Sequence, residues 1–207
     1  LPRALVIVEE KEKAWELEES KDAPPRGRKI LIPIDLTDQI NDVCLYGFQF
    51  AEKLYAEVIF LYAYFTPAFT ITSNNEINTY SLADSEMLRR IVNTNSADVE
   101  NLTNLINKWI ATGKIPDVKF RFELKEGVPE DQILEMCKKE QPVMVVMGSR
   151  GKNRKDEEVI GSVTAEVLES CNVPVFAVPV DLPVKSPAEI SRIAFLTNFD
   201  QKDLIAI

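Results

Sequence analysis

Residues 30–63 read ILIPIDLTDQINDVCLYGFQFAEKLYAEVIFLYA, and this stretch decides the fold. It begins with a short apolar run, Ile30–Ile34, which is typical of a strand that is buried on both faces. Apolar residues then recur at helical spacing over residues 40–54. A second apolar run, Val58–Ala63, completes a β-α-β unit, which is the building block of a parallel sheet.

The alternation of strands and helices continues along the chain. Apolar spacing predicts a long helix over residues 88–109 that is ended by Gly113, and the polar stretch before it, Thr66–Tyr80, is predicted to be a loop. The other predicted elements are a strand at Val118–Leu124, a helix at Pro129–Lys139, a strand at Val143–Met147, a helix at Ser162–Ser170 and a strand at Val173–Val178. Pro174 favours an edge position for this last strand. The pattern favours an α/β fold, a doubly wound five-stranded parallel sheet with helices on both faces.

Composition excludes several classes of function. The chain has 207 residues, a formal net charge of -9 and no histidine. Its acidic balance argues against binding to nucleic acid or to an anionic membrane surface. The absence of histidine removes Ser-His-Asp and Cys-His catalysis and His-ligated zinc or haem.

The cysteines and the hydropathy of the chain indicate the cellular compartment in which we expect the protein. Cys44, Cys137 and Cys171 are far apart in sequence and form no C-x-x-C pair, so they are predicted to be small core residues in a reducing environment. No apolar run approaches the ~18 residues of a membrane span, and the first residues lack the pattern of a signal peptide. We therefore expect a cytoplasmic protein.

The two ends of the chain differ from its centre. Residues 1–27 are predicted to be a helical extension and a proline-rich linker, a candidate tail of a preceding domain. Residues 28–180 form the predicted α/β domain, and the prolines of residues 181–191 mark a second linker. Residues 192–207 repeat the pattern of the first strand of that domain and are predicted to begin a second, truncated copy.

Glycine residues point to the functional site. Gly148, Gly151 and Gly161 are three of only 7 in the chain, and they follow the most hydrophobic strand. Ligands bind beyond the carboxyl ends of the strands in an open α/β sheet, and glycine lets backbone N–H groups approach them closely. Ser162 opens the next helix, whose N-terminus favours an anion such as phosphate. The alternative is that these glycines serve only a turn and a helix cap.

Two well-known phosphate-binding motifs do not fit this glycine run. A Walker A loop needs lysine six residues after its first glycine. Arg154 stands there after Gly148, and Glu157 stands there after Gly151. The dinucleotide fingerprint G-x-G-x-x-G is absent from the chain. The run instead has the spacing G-x-x-G-x9-G-[ST].

With this spacing the chain resembles the ATP-binding branch of the universal stress protein family over about residues 29–180. The matching stretches are Ile32-Pro33-Ile34-Asp35, Gly127-Val128-Pro129, Val146–Gly151, Gly161-Ser162-Val163 and Val173-Pro174-Val175. The resemblance implies a sheet order of 3-2-1-4-5 and an adenine nucleotide, ATP or AMP/ADP, that lies across strands 1 and 4. Mg²⁺ is a further candidate, because carboxylates near the site could hold it with the help of the phosphates.

Carried over position by position, the resemblance assigns the residues of the site. Asp35 would hold the adenosine part, which agrees with its place at the end of a strand; a helix N-cap is the alternative for this residue. Around the adenosine, the implied neighbours are Pro33, Ile34 and Ala63, with Met147 and Gly148 on the ribose side. The phosphates would be bound by the amides and hydroxyls of Gly151, Gly161, Ser162, Val163 and Thr164.

The sequence therefore predicts a universal stress protein-like nucleotide-binding protein with slow or no ATP hydrolysis. Fast catalysis is not expected without a histidine, a Walker lysine or an evident general base. The resemblance also implies a homodimer, or pairing with a second repeat, through the last strand. Two alternatives stay open: a nucleotide-free dimerisation or adaptor module on the same fold, and an enzyme that uses Thr66–Tyr80 as a lid.

Overall fold

The computed structural model describes residues 5–7, 27–35, 40–64, 68–73, 76–81, 86–150, 160–180 and 186–191. Its strands are β1 (Leu5–Ile7), β2 (Lys29–Ile34), β3 (Glu57–Tyr64), β4 (Ala68–Ser73), β5 (Glu76–Ser81), β6 (Phe120–Glu126), β7 (Met144–Gly148) and β8 (Val175–Val178). Its α-helices are α1 (Ile40–Leu54), α2 (Glu86–Ala111), α3 (Pro129–Glu140) and α4 (Ser162–Ser170), and a 3-10 turn covers Pro187–Glu189. Within these residues, none of the helices combines the length and the apolar character that a membrane crossing requires.

Five strands form a parallel sheet in the order β6-β3-β2-β7-β8. Numbered by their succession along the chain, this order is 3-2-1-4-5, which confirms the expected doubly wound sheet. The central strand is β2, in which Ile30, Leu31 and Ile32 are wholly inaccessible to solvent. A short continuous apolar run suits this position because both of its faces are covered.

Successive residues of the strands face two separate cores. On one face, Ile30 and Phe60 pack in a core with residues of α1 and α2. On the other face, Leu31 and Leu61 pack in a core with residues of α3 and α4. The predicted coverage of both faces by helices is therefore confirmed, and α1, α3 and α4 each follow the strand that the sequence pattern placed before them.

The stretch predicted as a long loop, Thr66–Tyr80, is largely a β-hairpin. β4 and β5 pair antiparallel from Ala68 opposite Ser81 to Ser73 opposite Glu76. The prediction was wrong because it weighed the polarity of Thr, Ser and Asn, whereas β-branched threonines between Phe and Ile residues favour an extended backbone. An enzyme lid made of this segment would therefore be a hairpin.

The start of the chain gives two further corrections. Leu5–Ile7, predicted as part of a helix, is strand β1, and it pairs antiparallel with β8 from Leu5 opposite Ala177 to Ile7 opposite Val175. β8 consequently has β7 on one side and β1 on the other, so Pro174 does not place it at the edge. Pro174 lies just before β8, where its missing N–H costs no pairing within that strand. Residues 8–26 and 192–207 lie outside the described part of the chain.

A small ionic cluster closes the opposite end of the sheet from the glycine run. The Glu140 carboxylate at the end of α3 accepts from Lys29 Nζ at 2.8 Å and from Arg121 Nη2 at 3.0 Å. Arg121 is also paired with Glu123. The hydrogen bond from Lys29 holds the pKa of Glu140 below its usual range, although burial opposes the shift. The cluster therefore joins the starts of β2 and β6 to α3.

We predict that Glu140→Gln lowers the free energy of unfolding by about 1–2 kcal/mol at neutral pH, because the charge-assisted bonds weaken. A carboxylate whose pKa is lowered on folding stabilises the protein above the unfolded pKa of about 4.3, and this contribution is lost as the pH falls through the folded pKa. The difference in free energy of unfolding between the variant and the wild type should therefore become smaller at acid pH. Urea unfolding at both pH values checks this, with the exposed Glu135→Gln on the same helix as the control. A gap that does not change with pH would contradict the role given to Glu140.

Candidate functional site

The site lies where the direction of the sheet reverses. β2 and β7 are neighbours, but α1 follows β2 on one face of the sheet and α4 follows β7 on the other. Two helices that leave on opposite faces open a crevice between the carboxyl ends of their strands. Apart from Gly151, which lies outside the described residues, the residues assigned from the sequence lie on β2, β7 and α4 or just beside them, with Ala63 on the neighbouring strand β3.

The two strands part before they reach their carboxyl ends. β2 and β7 pair at Ile30–Met144 and Leu31–Val145, whereas β2 stays paired with β3 as far as Ile34–Tyr62. The Lys29 carbonyl accepts from the Val143 N–H, so alternate residues of β2, including Pro33, point their backbone groups at β7. Proline has no N–H to give, and the ladder towards β7 therefore ends beside Pro33.

The turn after β7 is held together by backbone bonds. The N–H of Ser149 donates to the Val178 carbonyl at 2.7 Å, and the N–H of Gly161 donates to the Ser149 carbonyl at 2.8 Å. The second of these bonds brings the two ends of the glycine run into contact. Gly148 and Gly161 therefore lie together at the crevice. Gly151, between them in sequence, lies outside the described residues.

No side chain of the described residues caps the N-terminus of α4. The residue before the helix is Gly161, which has no side chain to cap it, and no acidic residue stands in the first turn. The N–H groups of Ser162, Val163 and Thr164 have no partners within the helix, because only from Ala165 onwards does an N–H reach a helical carbonyl. These three donors and the helix dipole favour a negatively charged ligand.

Asp35 is exposed at the end of β2, on the opposite side of the crevice from the turn after β7. Pro33 and Ile34, which precede it, are half-buried, and Ile34 packs against the α1–α2 core. Ala63 is half-buried on β3, in the position that follows the Ile34–Tyr62 pair. The carboxylate of Asp35 is therefore placed where it could accept a hydrogen bond from a ligand.

Tyr62 is a candidate that the sequence did not single out. Burial raises the pKa of its phenol, and the carboxylates of Asp98 and Asp35 raise it further. A phenol is neutral at physiological pH even at its usual pKa, and the shift extends that neutral form to higher pH. Tyr62 was missed because a tyrosine inside a buried apolar run is typical of core packing, and only the tertiary fold brings Asp98 of α2 to it.

Two assigned side chains have structural roles. Met147 is 4% exposed and packs in the core with α3 and α4, so its contribution to the crevice is its backbone. Thr164 is 3% exposed, and its hydroxyl donates to the Gly148 carbonyl at 2.8 Å. This bond fastens the first turn of α4 to the end of β7, which leaves the Thr164 N–H, rather than its hydroxyl, for a ligand.

We predict that Thr164→Val lowers the free energy of unfolding by about 1–3 kcal/mol, because the half-buried Gly148 carbonyl loses its donor. Thr164→Ser keeps the hydroxyl and loses one methyl group, so its loss should be smaller. Chemical denaturation of the two variants beside the wild type measures this. A valine variant as stable as the wild type, with a loss only in the serine variant, would show that the hydrogen bond contributes nothing and that only packing matters.

No group of three or more potential metal-ligating side chains occurs among the residues that the structure describes. An ion held partly by phosphate oxygens would need fewer protein ligands.

Taken together, the parallel sheet with helices on both faces and the parted central strands define a protein of the open α/β class with a crevice at its switch point. A family model described as the universal stress protein family matches residues 27–179. The chain belongs to this family.

Two members of the family are distant from this chain in sequence. A universal stress protein of Methanocaldococcus jannaschii is 24% identical over 152 residues, which cover 73% of this chain and 81% of the relative. One of Methanothermobacter thermautotrophicus is 29% identical over 145 residues, which cover 68% of this chain and 88% of the relative.

Solved structures agree with the fold. Universal stress protein UspA of Lactobacillus plantarum has a TM-score of 0.57 at 21% identity, with 73% of this chain and 99% of that one covered. A universal stress protein crystallised in complex with cAMP has a TM-score of 0.50 at 17% identity, with 73% and 96% covered. At these identities the likeness shows the shared fold.

Proposed function

We propose that the crevice between β2 and β7 binds an adenine nucleotide, and that binding, rather than rapid turnover, is the biochemical activity of this protein. The observation that carries the proposal is the early end of the β2–β7 ladder beside the uncapped N-terminus of α4. The parted strands make room for a flat group, and the helix supplies donors for a charged one. The cAMP complex of a relative with this fold supports an adenine ligand.

In this proposal the two rims of the crevice take different parts of the ligand. The phosphates sit at Gly161, Ser162, Val163 and Thr164, where backbone N–H groups are available; Gly151 is proposed to join them. Asp35 accepts from the ribose or the base, and Tyr62 lies nearby as a neutral donor. Pro33, Ile34 and Ala63 line the adenosine part, with the backbone of Met147 and Gly148 on the ribose side.

The chemistry proposed for the bound nucleotide is limited. The chain has no histidine and no Walker lysine, so we propose ATP, ADP or AMP as a bound signal that is hydrolysed slowly or not at all. Mg²⁺ is proposed to enter with the phosphates of ATP. An ATP affinity that is unchanged by EDTA would remove Mg²⁺ from the proposal. We place this activity in the cytoplasm and in the response to stress.

We predict that Ser162→Glu weakens ATP binding about tenfold or more, because a carboxylate at the first helical position repels the phosphates. Adenosine, which has no phosphate, should keep its affinity. The same substitution should leave the free protein as stable as the wild type or more so by about 0.3–1 kcal/mol, since an acidic residue favours a helix N-terminus. Ser162 is exposed, and Ser162→Gln is the neutral control of the same shape.

Isothermal titration with ATP, AMP, cAMP and adenosine measures these affinities, and thermal unfolding measures the stability. Asp35→Asn is the complementary variant, and it should weaken adenosine and ATP alike. No binding of any of the four ligands to the wild type would refute the proposal. Equal losses for ATP and adenosine in Ser162→Glu would place the phosphates elsewhere.

A second candidate function is assembly through the last strand, as a homodimer or with a second repeat of the domain. The observation that favours it is that β8 accepts an antiparallel strand, since β1 pairs with it along Val175–Ala177. The same observation adds a condition. β1 occupies the edge that a partner strand would need, so assembly there requires β1 to leave.

We predict that the double substitution Val6→Pro and Ile7→Pro increases self-association. Successive residues of a strand point their N–H groups to opposite sides, so two prolines remove whichever donor β1 directs at β8. The freed apolar edge is then available to a second copy. Sedimentation or light scattering over a range of concentrations measures the mass. Val6→Thr with Ile7→Thr, which keeps both N–H groups, is the control, and an unchanged mass in the proline variant would contradict assembly at this edge.

A further inference from the structure

Two cysteines that are distant in sequence meet in the core. Cys137 lies in the last turn of α3, and Cys171 directly follows the end of α4. Their sulfur atoms are 3.5 Å apart and share a thiol hydrogen bond. The side chains are 6% and 4% exposed. Neither residue belongs to the nucleotide crevice, which lies at the other end of α4.

The geometry lets the two sulfurs approach each other further. A disulfide needs a separation of about 2.05 Å, so the sulfurs must close by about 1.5 Å. Cys171 has extended backbone angles, φ -81° and ψ 134°, and is the first residue beyond α4. A side chain at such a position moves without breaking the hydrogen bonds of a helix interior. The neighbouring residues Ser170 and Asn172 are exposed, so the pair lies just beneath the surface.

The chemistry of the pair differs from that of an ordinary buried thiol. The hydrogen bond between the two thiols lowers the pKa of Cys171 below its usual range, and the N–H of Val173 contributes in the same direction against the effect of burial. The pKa of Cys137 is correspondingly raised, first by its hydrogen bond to Cys171. Thiolates are the reactive form of cysteine, so Cys171 is the nucleophile of the pair and Cys137 the resolving thiol.

From this geometry we infer that Cys137 and Cys171 are an oxidation site, a dithiol that a small hydroperoxide converts to a reversible disulfide between α3 and α4. The Cys171 thiolate attacks the terminal peroxide oxygen, the O–O bond breaks, and the alkoxide or hydroxide leaves with a proton from solvent. The sulfenic acid of Cys171 is then attacked by the sulfur of Cys137, whose proton goes to the departing hydroxide. Two thiols and one hydroperoxide give one disulfide, one alcohol or water, and one further water.

Cys44 is an internal control for this inference. It is also buried, but it packs in the core on the opposite face of the sheet, with α1 and α2. Burial raises its pKa to about 12. Burial alone therefore cannot explain a difference in reactivity between Cys44 and the pair, because all three thiols are buried.

The test treats the reduced full chain with graded hydrogen peroxide, stops the reaction with catalase, alkylates the remaining thiols in denaturant and maps the peptides by mass spectrometry. We expect a Cys137–Cys171 linked peptide that dithiothreitol reverses, formed about tenfold or more faster than any loss of Cys44 thiol. Cys44→Ser should oxidise as the wild type does. Cys137→Ser and Cys171→Ser should give no intramolecular disulfide.

Three results would overturn the inference. The first is a pair that stays reduced at peroxide concentrations that oxidise glutathione under the same conditions. The second is oxidation of Cys44 at the same rate as the pair, which would indicate reaction of an unfolded chain. The third is conversion of Cys171 to sulfinic acid without a disulfide. If a serine variant does not fold, the wild type and Cys44→Ser still decide the question. A higher Tm of oxidised than of reduced wild-type protein is the independent support expected from a cross-link between two helices.

Discussion

The missing N–H of Pro33 is the constraint from which the site follows. A proline in the central strand of a parallel sheet removes a ladder bond where every neighbour is buried, and the protein accepts this only near the end of β2. The direction matters, because the backbone groups of Pro33 face β7. The missing N–H therefore leaves the hydrogen bonds between β2 and β3 intact. The sheet therefore stays continuous on one side and opens on the other. The strands part at the place where α1, which follows β2, and α4, which follows β7, lie on opposite faces of the sheet. Pro33 therefore extends the opening that this topology creates.

The architecture could be predicted because it rests on local and strong signals. Continuous apolar runs such as Ile30–Ile34 are typical of strands buried on both faces, and their alternation with helical patterns indicates a parallel sheet between helices. The strand order was predicted from the resemblance to a known family, because the residues of one strand do not reveal which other strands pair with it. Leu5–Ile7 illustrates the limit. A strand of three residues is determined by its partner β8, and the same residues also satisfy the spacing of an amphipathic helix. The threonines of residues 68–81 are both polar and β-branched. Polarity favours a loop, whereas β-branching favours a strand, and this segment forms strands.

The position of the candidate site could be predicted from the sequence, but the role of each side chain in it could not. Strand ends and glycines locate the crevice, because topology alone brings them to one edge of the sheet. Whether a hydroxyl faces a ligand or a carbonyl depends on burial and on distances across the chain. Thr164 stands beside three other candidate phosphate ligands in sequence, yet its hydroxyl holds Gly148. The contact between Cys137 and Cys171 has the same origin, since 34 residues separate them and only the packing of α3 on α4 joins them.

Helix α4 connects the two chemical features of this face of the protein. Its first residue, Ser162, stands at the crevice, and its C-cap, Cys171, holds the thiol pair. A helix of 9 residues is about 13 Å long and is stiff at this length. Thr164 anchors the first end to β7 through one hydrogen bond, whereas a disulfide would anchor the second end to α3 covalently. The donors of Ser162 and Val163 lie beside the Thr164 anchor, so the helix end proposed to bind a phosphate and the thiol proposed to be oxidised belong to one short helix.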